Sequence, residues 1–365
     1  MEELFGEEKK IFVYNLDENK VLFEKNETEK TEVASLTKIM TAWIAVEKVP
    51  LDQKIIITPE MLEGLEEFAV VGLVSGQEIT AEELLFATLL PSAGDAAQAL
   101  AVAASGSIEK FVEEMNKHAT ELELSNTSFS NVVGFDEENF SSAEDIAKIL
   151  ESALENPEFK KAFETFEFYS PSLDKTLKKT FQGGEIIRGG KTGFTYAAGR
   201  CLASTAEING ANLLVVDLNE DWQSNDHVEN TLKIYDFYQK NYSLIPILGS
   251  GDEIVNIPVE DSETKNLKIS ADETVTKFLK NETEFFSKFE GVEKIDNKFS
   301  VGDFLGTFTV ETDTETLYQK DFFLEEEIEF YPYALWNSLV GAAIFLFAVF
   351  GVFLFKKKRR KFSCS

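Results

Sequence analysis

The chain contains very little cysteine and histidine, and this scarcity excludes several kinds of site. Cys201 and Cys364 are the only cysteines in 365 residues, and there are only two histidines. Because Cys364 lies beyond a long apolar segment, we expect no intrachain disulfide. No zinc-ligand cluster occurs, so we expect neither a metal nor an organic cofactor.

Positive charge is also scarce over most of the chain. Lysine and arginine total 35 against 65 aspartates and glutamates, which gives a formal net charge of −30 at pH 7. The six charges of residues 356–361 are all positive, so the rest of the chain is even more acidic. Such a surface repels nucleic acid, and we expect no nucleic-acid partner.

The N-terminus lacks the apolar run of a secretory signal, whereas the C-terminal part has an apolar segment. Residues 334–355 carry no charge and are long enough to cross a bilayer. Aromatic residues precede this segment and the basic run follows it, which is typical of a span with its basic end inside. We therefore expect a single-pass anchor in the lipid bilayer and an extracytoplasmic globular part, exported by a leader that the full reading frame supplies. One alternative, a buried core helix, leaves the basic run without a place. The other, a tail-anchored cytoplasmic protein, is disfavoured because the basic tail would then lie outside.

A serine and a lysine three residues apart stand at the start of an apolar helix. Ser35 and Lys38 share one helical face, so the hydroxyl and the amine can lie within hydrogen-bond reach. Burial lowers the pKa of a lysine and leaves some neutral amine to take the serine proton. The same spacing at Ser107, Ser172 and Ser262 is typical of solvated helices or turns. The sequence therefore predicts a serine acyl-transfer site at Ser35, in the first helical turn, where the helix dipole favours negative charge.

Lys191-Thr192-Gly193 is a second motif that indicates a binding site. It occurs once, between Gly189-Gly190 and Phe194. Glycines beside a strand indicate that another backbone or a ligand comes close. We expect an edge strand that binds an extended peptide, with a backbone N–H near Phe194 and that of Ser35 forming an oxyanion hole. A glycine-rich turn with a surface lysine is the alternative.

Three motifs in order indicate one family of enzymes. Thr80 and Glu83 predict a capping box that opens one helix, and a helix of small residues follows through Ala104. Ser92-Ala93-Gly94-Asp95 lies at the turn between these two helices, where a serine can face a cleft or cap a helix. With Ser35-x-x-Lys38 before it and Lys191-Thr192-Gly193 after it, the chain has the three-part pattern of penicillin-recognising serine enzymes. From about Ile11 to Tyr242 it resembles the D-alanyl-D-alanine carboxypeptidases, which are low-molecular-mass penicillin-binding proteins. The resemblance also includes Leu89-Leu90-Pro91-Ser92, Phe129-Ser130-Asn131, Gly134-Phe135 and Ser141-Ser142-Ala143-Glu144-Asp145.

The resemblance implies a role for each matching residue. Ser35 would be the nucleophile, Lys38 its base and Ser92 a proton relay to the leaving amine. Lys191 and Thr192 would hold the carboxylate of the substrate, next to Gly193 and Phe194. The implied reaction removes the terminal D-alanine of peptidoglycan stem peptides through an acyl-enzyme, which β-lactam antibiotics trap.

Two positions depart from the family pattern. Gly94 stands where the family has an asparagine, so we expect Gly94→Asn to raise the rate of acylation. His227 stands where the family has an arginine, and a neutral histidine is a weaker anion clamp than a guanidinium. His227 would bind the carboxylate when protonated, unless Arg188 or Arg200 compensates or His227 is an ordinary polar residue at the start of a surface helix.

These departures leave alternatives open. One is a non-catalytic or impaired wall-peptide binder, and another is a DD-endopeptidase or transpeptidase on the same fold. A β-lactamase is a further alternative, although it would need a deacylating base, and no convincing glutamate motif lies between residues 92 and 191.

The sequence predicts an α+β fold of the β-lactamase and DD-peptidase kind. Its antiparallel sheet of about five strands would carry helices on both faces and a helical subdomain, with the Lys191 strand beside the N-terminal hairpin. Asn209-Gly210 predicts a hairpin within that sheet. The expected parts are a catalytic domain (1–245), a small β-rich spacer domain (246–330), a transmembrane anchor (331–355) and a basic cytoplasmic tail (356–365).

Overall fold

The structure, a computed structural model, describes residues 6, 8–66, 68–135, 138–221, 223 and 226–331. It divides the chain into two compact units. The first comprises the residues up to Leu244 together with Phe278–Asn281, and the second comprises the others. Apart from Tyr331, the expected anchor (331–355) and tail (356–365) lie outside the described residues. Among the helices that are described, none has the length and apolar character needed to cross a membrane.

The helices of the first unit begin and end at recognisable sequence signals. The Thr80 hydroxyl accepts a hydrogen bond from the backbone N–H of Glu83, and the Glu83 carboxylate accepts one from the backbone N–H of Thr80, so the capping box predicted there is confirmed. Ser107 caps another helix by accepting from the N–H of Lys110, which confirms the structural reading of that Ser-x-x-Lys. The α-helices are α1 (Thr37–Lys48), α2 (Ala81–Leu89), α3 (Gly94–Ser105), α4 (Ile108–Glu121), α5 (Ala143–Leu154), α6 (Pro157–Glu164) and α7 (Asp226–Asn241).

A five-stranded antiparallel sheet organises the first unit. The strands up to residue 220 are β1 (Lys10–Asn15), β2 (Lys20–Lys25), β3 (Thr31–Glu32), β4 (Lys54–Ile56), β5 (Glu78–Thr80), β6 (Phe140–Ser141), β7 (Glu167–Ser170), β8 (Lys175–Lys178), β9 (Ile187–Thr195), β10 (Gly199–Ile208) and β11 (Ala211–Glu220). The order in the main sheet is β2-β1-β11-β10-β9. The hairpin predicted at Asn209-Gly210 is confirmed as the β10–β11 connection.

One prediction about this sheet was wrong. Strand β9, which carries Lys191, is an edge strand as expected, but it lies at the edge opposite the N-terminal hairpin. The reason is that β11 pairs with β1, so the β10–β11 hairpin lies between β9 and the N-terminal strands.

Alternating side chains give the sheet two apolar faces, and each face packs against helices. Leu214 and Val216 of β11 belong to a core with residues of α1, α2, α3 and α5. Leu213 and Val215 point to the other face, where they pack with Tyr235 of α7. Helices therefore cover both faces of the sheet, as the α+β prediction required.

From Tyr242 onward the chain is built of strands. They are β12 (Tyr242–Leu248), β13 (Glu253–Pro258), β14 (Asn266–Ser270), β15 (Val275–Lys280), β16 (Phe286–Gly291), β17 (Phe304–Glu311) and β18 (Thr316–Phe323). In the second unit β13 pairs with β14, and β16, β17 and β18 form an antiparallel sheet. A small core that includes Ile257, Ile295, Leu305 and Leu324 holds this unit together.

Candidate active site

Ser35 lies in a tight turn directly before α1. Ala34–Leu36 form one turn of 3-10 helix, and α1 begins at Thr37, so Ser35 precedes the helix by two residues instead of lying in its first turn. The backbone of Ala34 is left-handed, with φ of 47°. The Nζ of Lys38 nevertheless lies 2.9 Å from the Oγ of Ser35 and donates a second hydrogen bond to the carbonyl oxygen of Val133 at 2.8 Å.

Lys38 is withdrawn from water by the helix that carries it. Residues 37–45 of α1 are all buried, and Lys38 is only 1% exposed. Burial disfavours the charged amine and lowers the pKa of Lys38 to about 7. A substantial fraction of this amine is therefore neutral at neutral pH and able to accept the proton of Ser35.

Lys191 joins the second and third motifs. Its Nζ donates to the Oγ of Ser92 at 2.8 Å and to the carbonyl oxygen of Thr192 at 2.7 Å. Burial, followed by the charges of Lys38 and Lys179, holds the pKa of Lys191 well below its usual range. Ser92 itself has a left-handed backbone, with φ of 65°, and the N-cap of α3 is Ala93. The helix-cap reading of Ser92 was therefore wrong.

Lys179 is a further amine close to the site, and sequence reasoning missed it. Its Nζ donates to the carbonyl oxygen of Gly190 at 2.7 Å and lies over the rings of Phe163 and Phe166. Loss of hydration lowers the pKa of Lys179 to about 7. Its neighbour Lys178 is exposed and paired with a glutamate, so the Lys-Lys pair gave no signal that one member faces inward.

Two glycines allow the backbones around Ser35 to come together. A Cβ on Gly193 would lie 2.8 Å from the carbonyl oxygen of Val33 and 3.2 Å from the backbone nitrogen of Ser35. Gly134 has φ of 87°, and a Cβ there would lie 1.8 Å from the carbonyl oxygen of Ala34. Only glycine fits either position, so β9 can lie directly against the turn that carries Ser35.

An asparagine pair holds the loop that contacts Lys38. The Oδ1 of Asn131 accepts from the N–H groups of Val133 and Gly134 at 3.1 and 2.8 Å. Asn139 is 1% exposed and donates to the carbonyl oxygen of Asn131 at 3.2 Å. These bonds position the Val133 carbonyl that accepts from Lys38. Asn131 belonged to a stretch that carried the resemblance, but no signal marked Asn139.

The position of the missing family asparagine is filled by an apolar loop. A Cβ on Gly94 would lie 3.1 Å from Leu65 Cδ2 and 3.3 Å from Phe68 Cβ. The N–H of Gly94 donates to the carbonyl oxygen of Ala69 at 2.7 Å. Asp95 does not line the cleft, because its carboxylate accepts hydrogen bonds from the N–H groups of residues 71–73.

A cleft of about 830 Å³ exposes the candidate residues to solvent. Lys38 and Lys191 lie behind it, each bonded to a serine of its wall. Arg188 pairs with Glu207 and does not line the cleft, whereas Arg200 does. The lining residues are Ser35, Phe68, Ala69, Pro91, Ser92, Gly134, Phe135, Thr180, Phe181, Gln182, Thr192, Gly193, Phe194, Thr195, Tyr196, Arg200, His227, Val228 and Glu229.

The site therefore brings together every residue predicted from the three motifs, and also His227. A hydroxyl next to a partly neutral amine can attack a carbonyl, and a second hydroxyl–amine pair can deliver a proton to a leaving group. The edge of β9 is available to an extended peptide. The chemical roles of the individual residues stay predictions.

Comparison with known proteins gives consistent relatives. Residues 7–221 match the model of peptidase family S11, described as D-alanyl-D-alanine carboxypeptidase. The D-alanyl-D-alanine carboxypeptidase DacF of Bacillus subtilis is 30% identical over 345 residues, which are 90% of this chain and 87% of that protein. The D-alanyl-D-alanine endopeptidase of Escherichia coli is 31% identical over 217 residues, 56% of this chain and 68% of that protein.

A solved structure supports the same architecture. The crystal structure of a peptidoglycan synthesis regulatory factor, PBP3, from Streptococcus pneumoniae has a TM-score of 0.69 to this chain at 24% sequence identity. The match covers 88% of this chain and 99% of that chain. This likeness shows the fold.

Proposed function

The chain belongs to the D-alanyl-D-alanine carboxypeptidase family and has the penicillin-binding DD-peptidase fold, and we propose that Ser35 is the nucleophile that carries the acyl group in the acyl-enzyme. The protein is a serine D-Ala-D-Ala carboxypeptidase that acts on peptidoglycan stem peptides. The observation that supports Ser35 is the 2.9 Å hydrogen bond from Lys38, whose pKa is about 7. An ordinary lysine would be almost fully charged at neutral pH and could not serve as a base.

Acylation begins when the neutral amine of Lys38 takes the proton of the Ser35 hydroxyl. The Oγ attacks the carbonyl carbon of the penultimate D-alanine, and the carbonyl electrons move onto oxygen. When the tetrahedral intermediate collapses, the C–N bond breaks and the terminal D-alanine leaves as an amine. Ser92 gives its proton to that nitrogen and regains one from Lys38, so the proton of Ser35 ends on the leaving amine and Lys38 is neutral again. Lys191, whose Nζ lies 2.8 Å from the Oγ of Ser92, holds that hydroxyl in place.

Deacylation uses the same groups with water as the nucleophile. Lys38 again accepts a proton, now from water, and the hydroxide attacks the ester carbonyl of the acyl-enzyme. The Ser35 oxygen leaves and recovers a proton, which returns the free enzyme and the shortened peptide. A β-lactam opens on Ser35 in the same way, but its leaving amine stays attached and slows the water step.

Labelling with a fluorescent penicillin tests the nucleophile. We expect the full chain to be labelled covalently and Ser35→Ala to abolish labelling. Ser107→Ala is the matched control, because Ser107 has the same Ser-x-x-Lys spacing but caps α4. Equal labelling of Ser35→Ala and the parent chain would contradict the assignment. Acylation of the parent without release of D-alanine from a peptide would favour a non-catalytic penicillin-binding protein.

A second candidate activity is cleavage of D-alanyl cross-links. The observation that favours it is the relationship to the Escherichia coli protein named D-alanyl-D-alanine endopeptidase. Purified dimeric muropeptides separate the two activities, since a carboxypeptidase removes a terminal D-alanine and leaves the dimer intact. Conversion of dimers to monomers would establish the endopeptidase.

Membrane anchorage forms part of the proposal and is supported by the sequence. Residues 334–355 are uncharged, and the basic run 356–361 follows them. We propose that this segment anchors the protein with its catalytic unit outside the cytoplasm. The full chain should stay in the membrane pellet after carbonate extraction, and protease added outside intact spheroplasts should remove the catalytic unit. Release by carbonate, or full protection from protease, would contradict this arrangement.

A further inference from the structure

Arg200 is an isolated cation in the wall of the cleft. Among the described residues that line this cleft, Arg200 is the only lysine or arginine. No ion pair or hydrogen bond of its guanidinium is found with the described residues, and its Nε is buried without a partner. Glu229 lines the same cleft and Glu220 lies opposite Arg200 in the strand register, but neither of these described carboxylates forms an ion pair with it. A buried donor without an acceptor costs free energy unless a ligand supplies one.

The strand register places Arg200 on the same face of the sheet as Thr192. Arg200 of β10 lies opposite Phe194 of β9, and Leu202 lies opposite Thr192. Residues directly opposite each other point to the same face, and so do residues two apart in one strand. Leu202 packs in the core against α7, so Thr192, Phe194 and Arg200 all point to the α7 side.

Phe194 holds the guanidinium in this position. The Cζ of Arg200 lies 5.2 Å from the centroid of the Phe194 ring, within the range of a cation–π contact. This contact is electrostatic but leaves the N–H groups of the guanidinium available at its edge. The N-terminal residues of α7, including His227, line the same part of the cleft.

The other candidate anchors are poor permanent cations. The amine of Lys191 already donates to Ser92 and to the backbone of Thr192. A histidine is largely neutral above pH 7, whereas a guanidinium stays charged throughout the neutral range. Among the described residues that line the cleft, Arg200 is therefore the one permanent cation that a substrate carboxylate can reach.

We propose that Arg200 binds the terminal carboxylate of the substrate, in the place of the arginine that the family carries at the position of His227. This inference rests on the proposed function, and it assigns to this chain a charge anchor on β10 in place of one on α7. The carboxylate would lie between the Thr192 hydroxyl and the guanidinium, so that Arg200 acts as a specificity residue for peptides with a free C-terminus.

Binding measurements in an inactive background test the anchor without requiring turnover. In the full chain carrying Ser35→Ala, we expect a peptide ending in D-Ala-D-Ala to bind about 10- to 100-fold more weakly after Arg200→Gln. The C-terminal amide of the same peptide should bind equally to both proteins, because it has no charge to lose. Arg200→Lys should restore part of the difference. Arg188→Gln is the matched control, since it removes the same charge from an arginine outside the cleft.

Three outcomes decide the proposal. An equal loss of affinity for acid and amide after Arg200→Gln would show a structural effect and overturn it, and so would no loss for either. In the Ser35→Ala chain with Arg200 intact, the acid should also bind with nearly the same affinity from pH 6 to pH 8. A tenfold weakening over this range would identify protonated His227 as the anchor instead.

Turnover is measured in a separate experiment, so that failure of the proposed reaction can be distinguished from failure of the proposed role of Arg200. With Ser35 intact, Arg200→Gln should raise KM for the acid substrate more than it lowers kcat. If the intact chain releases no D-alanine, the proposed reaction fails, while the affinity difference between acid and amide still decides the role of Arg200.

Discussion

At the scale of single residues, the site depends on amines that have lost their water. Lys38 and Lys191 are each 1% exposed, Lys179 is partly buried, and none of them forms an ion pair with a described carboxylate. A proton on one of these amines disfavours a proton on the next, as the effect of Lys38 and Lys179 on Lys191 indicates. Burial and mutual repulsion therefore favour the neutral form of these amines. A lysine must be neutral to act as a base.

The pH dependence of acylation follows from Lys38. Only the neutral amine accepts the Ser35 proton, and the pKa of Lys38 is lowered to about 7 by burial. The second-order rate constant for penicillin acylation should rise about tenfold per pH unit below pH 6 and level off above about pH 8. Stopped-flow labelling between pH 5 and 9 measures this, with thermal unfolding recorded in the same buffers. A rate that is flat, or that falls as pH rises through 7, would contradict a neutral-lysine base.

At the scale of elements, each motif is positioned by contacts that a different element supplies. The turn that carries Ser35 packs against β9 through Gly193, and α3 begins against the loop that contains Leu65 and Phe68. A substitution in one motif therefore acts through the packing of another. Gly94 gives the clearest case.

We expect Gly94→Asn to slow acylation and to destabilise the first unit, contrary to the simplest reading of the family pattern. Its Cβ would lie 3.1 Å from Leu65 Cδ2 and 3.3 Å from Phe68 Cβ, and such overpacking costs about 1 to 3 kcal/mol. Melting temperature and penicillin labelling measure the two effects.

A second substitution can relieve the crowding next to residue 94. Leu65→Ala removes the Cδ2 atom that would lie 3.1 Å from the new Cβ, so the double variant Gly94→Asn with Leu65→Ala should recover melting temperature relative to the sum of the two single variants. It should also acylate faster than Gly94→Asn alone, since the asparagine then has room next to the loop. A double variant no better than the sum of its parts would show that the loop does not compete with the asparagine.

Sequence patterns predicted the local parts of this structure and missed those that depend on distant packing. The capping box at Thr80 and the hairpin at Asn209-Gly210 depend on a few adjacent residues, and both are confirmed. The Ser35, Ser92 and Lys191 motifs also lie together as expected, because the resemblance carries their arrangement. The inward position of Lys179 and the face of Arg200 depend on strand register and on rings far away in the sequence. No local signal therefore marked Lys179, and none distinguished Arg200 from Arg188.

At the scale of the whole molecule, stability depends on a carboxyl group on the central strand of the main sheet. Asp217 of β11 is fully buried, and neither of its carboxyl oxygens has a hydrogen-bond partner among the described residues. Burial, followed by the charge of Glu220, holds the pKa of Asp217 well above its usual range. Glu220 pairs with Lys9 and accepts from Asn230. Asp217 is therefore best accommodated in its neutral form.

Asp217→Asn should stabilise the protein, and more so at high pH. Because the pKa of Asp217 is raised by folding, its contribution to stability is present at low pH and is lost as pH rises through the folded-state pKa. An asparagine cannot ionise, so the gain in melting temperature should be larger at pH 8 than at pH 5, by roughly 2 to 4 °C for each 1 kcal/mol. Asp236→Asn on the exposed side of α7 is the control. An equal loss of stability at both pH values would contradict the prediction.

The strand order of the main sheet also determines when the molecule can fold during synthesis. The N-terminal strand β1 forms its inner pairing only with β11, since Ile11 lies opposite Asp217. At about 5 to 20 residues per second, the first hairpin waits roughly 10 to 40 s for its partner to be synthesised. Throughout that interval one edge of β1 is unpaired and open to aggregation. A chaperone or a translocation channel that shields the first thirty residues would therefore raise the yield of active enzyme more than one that acts on the finished chain.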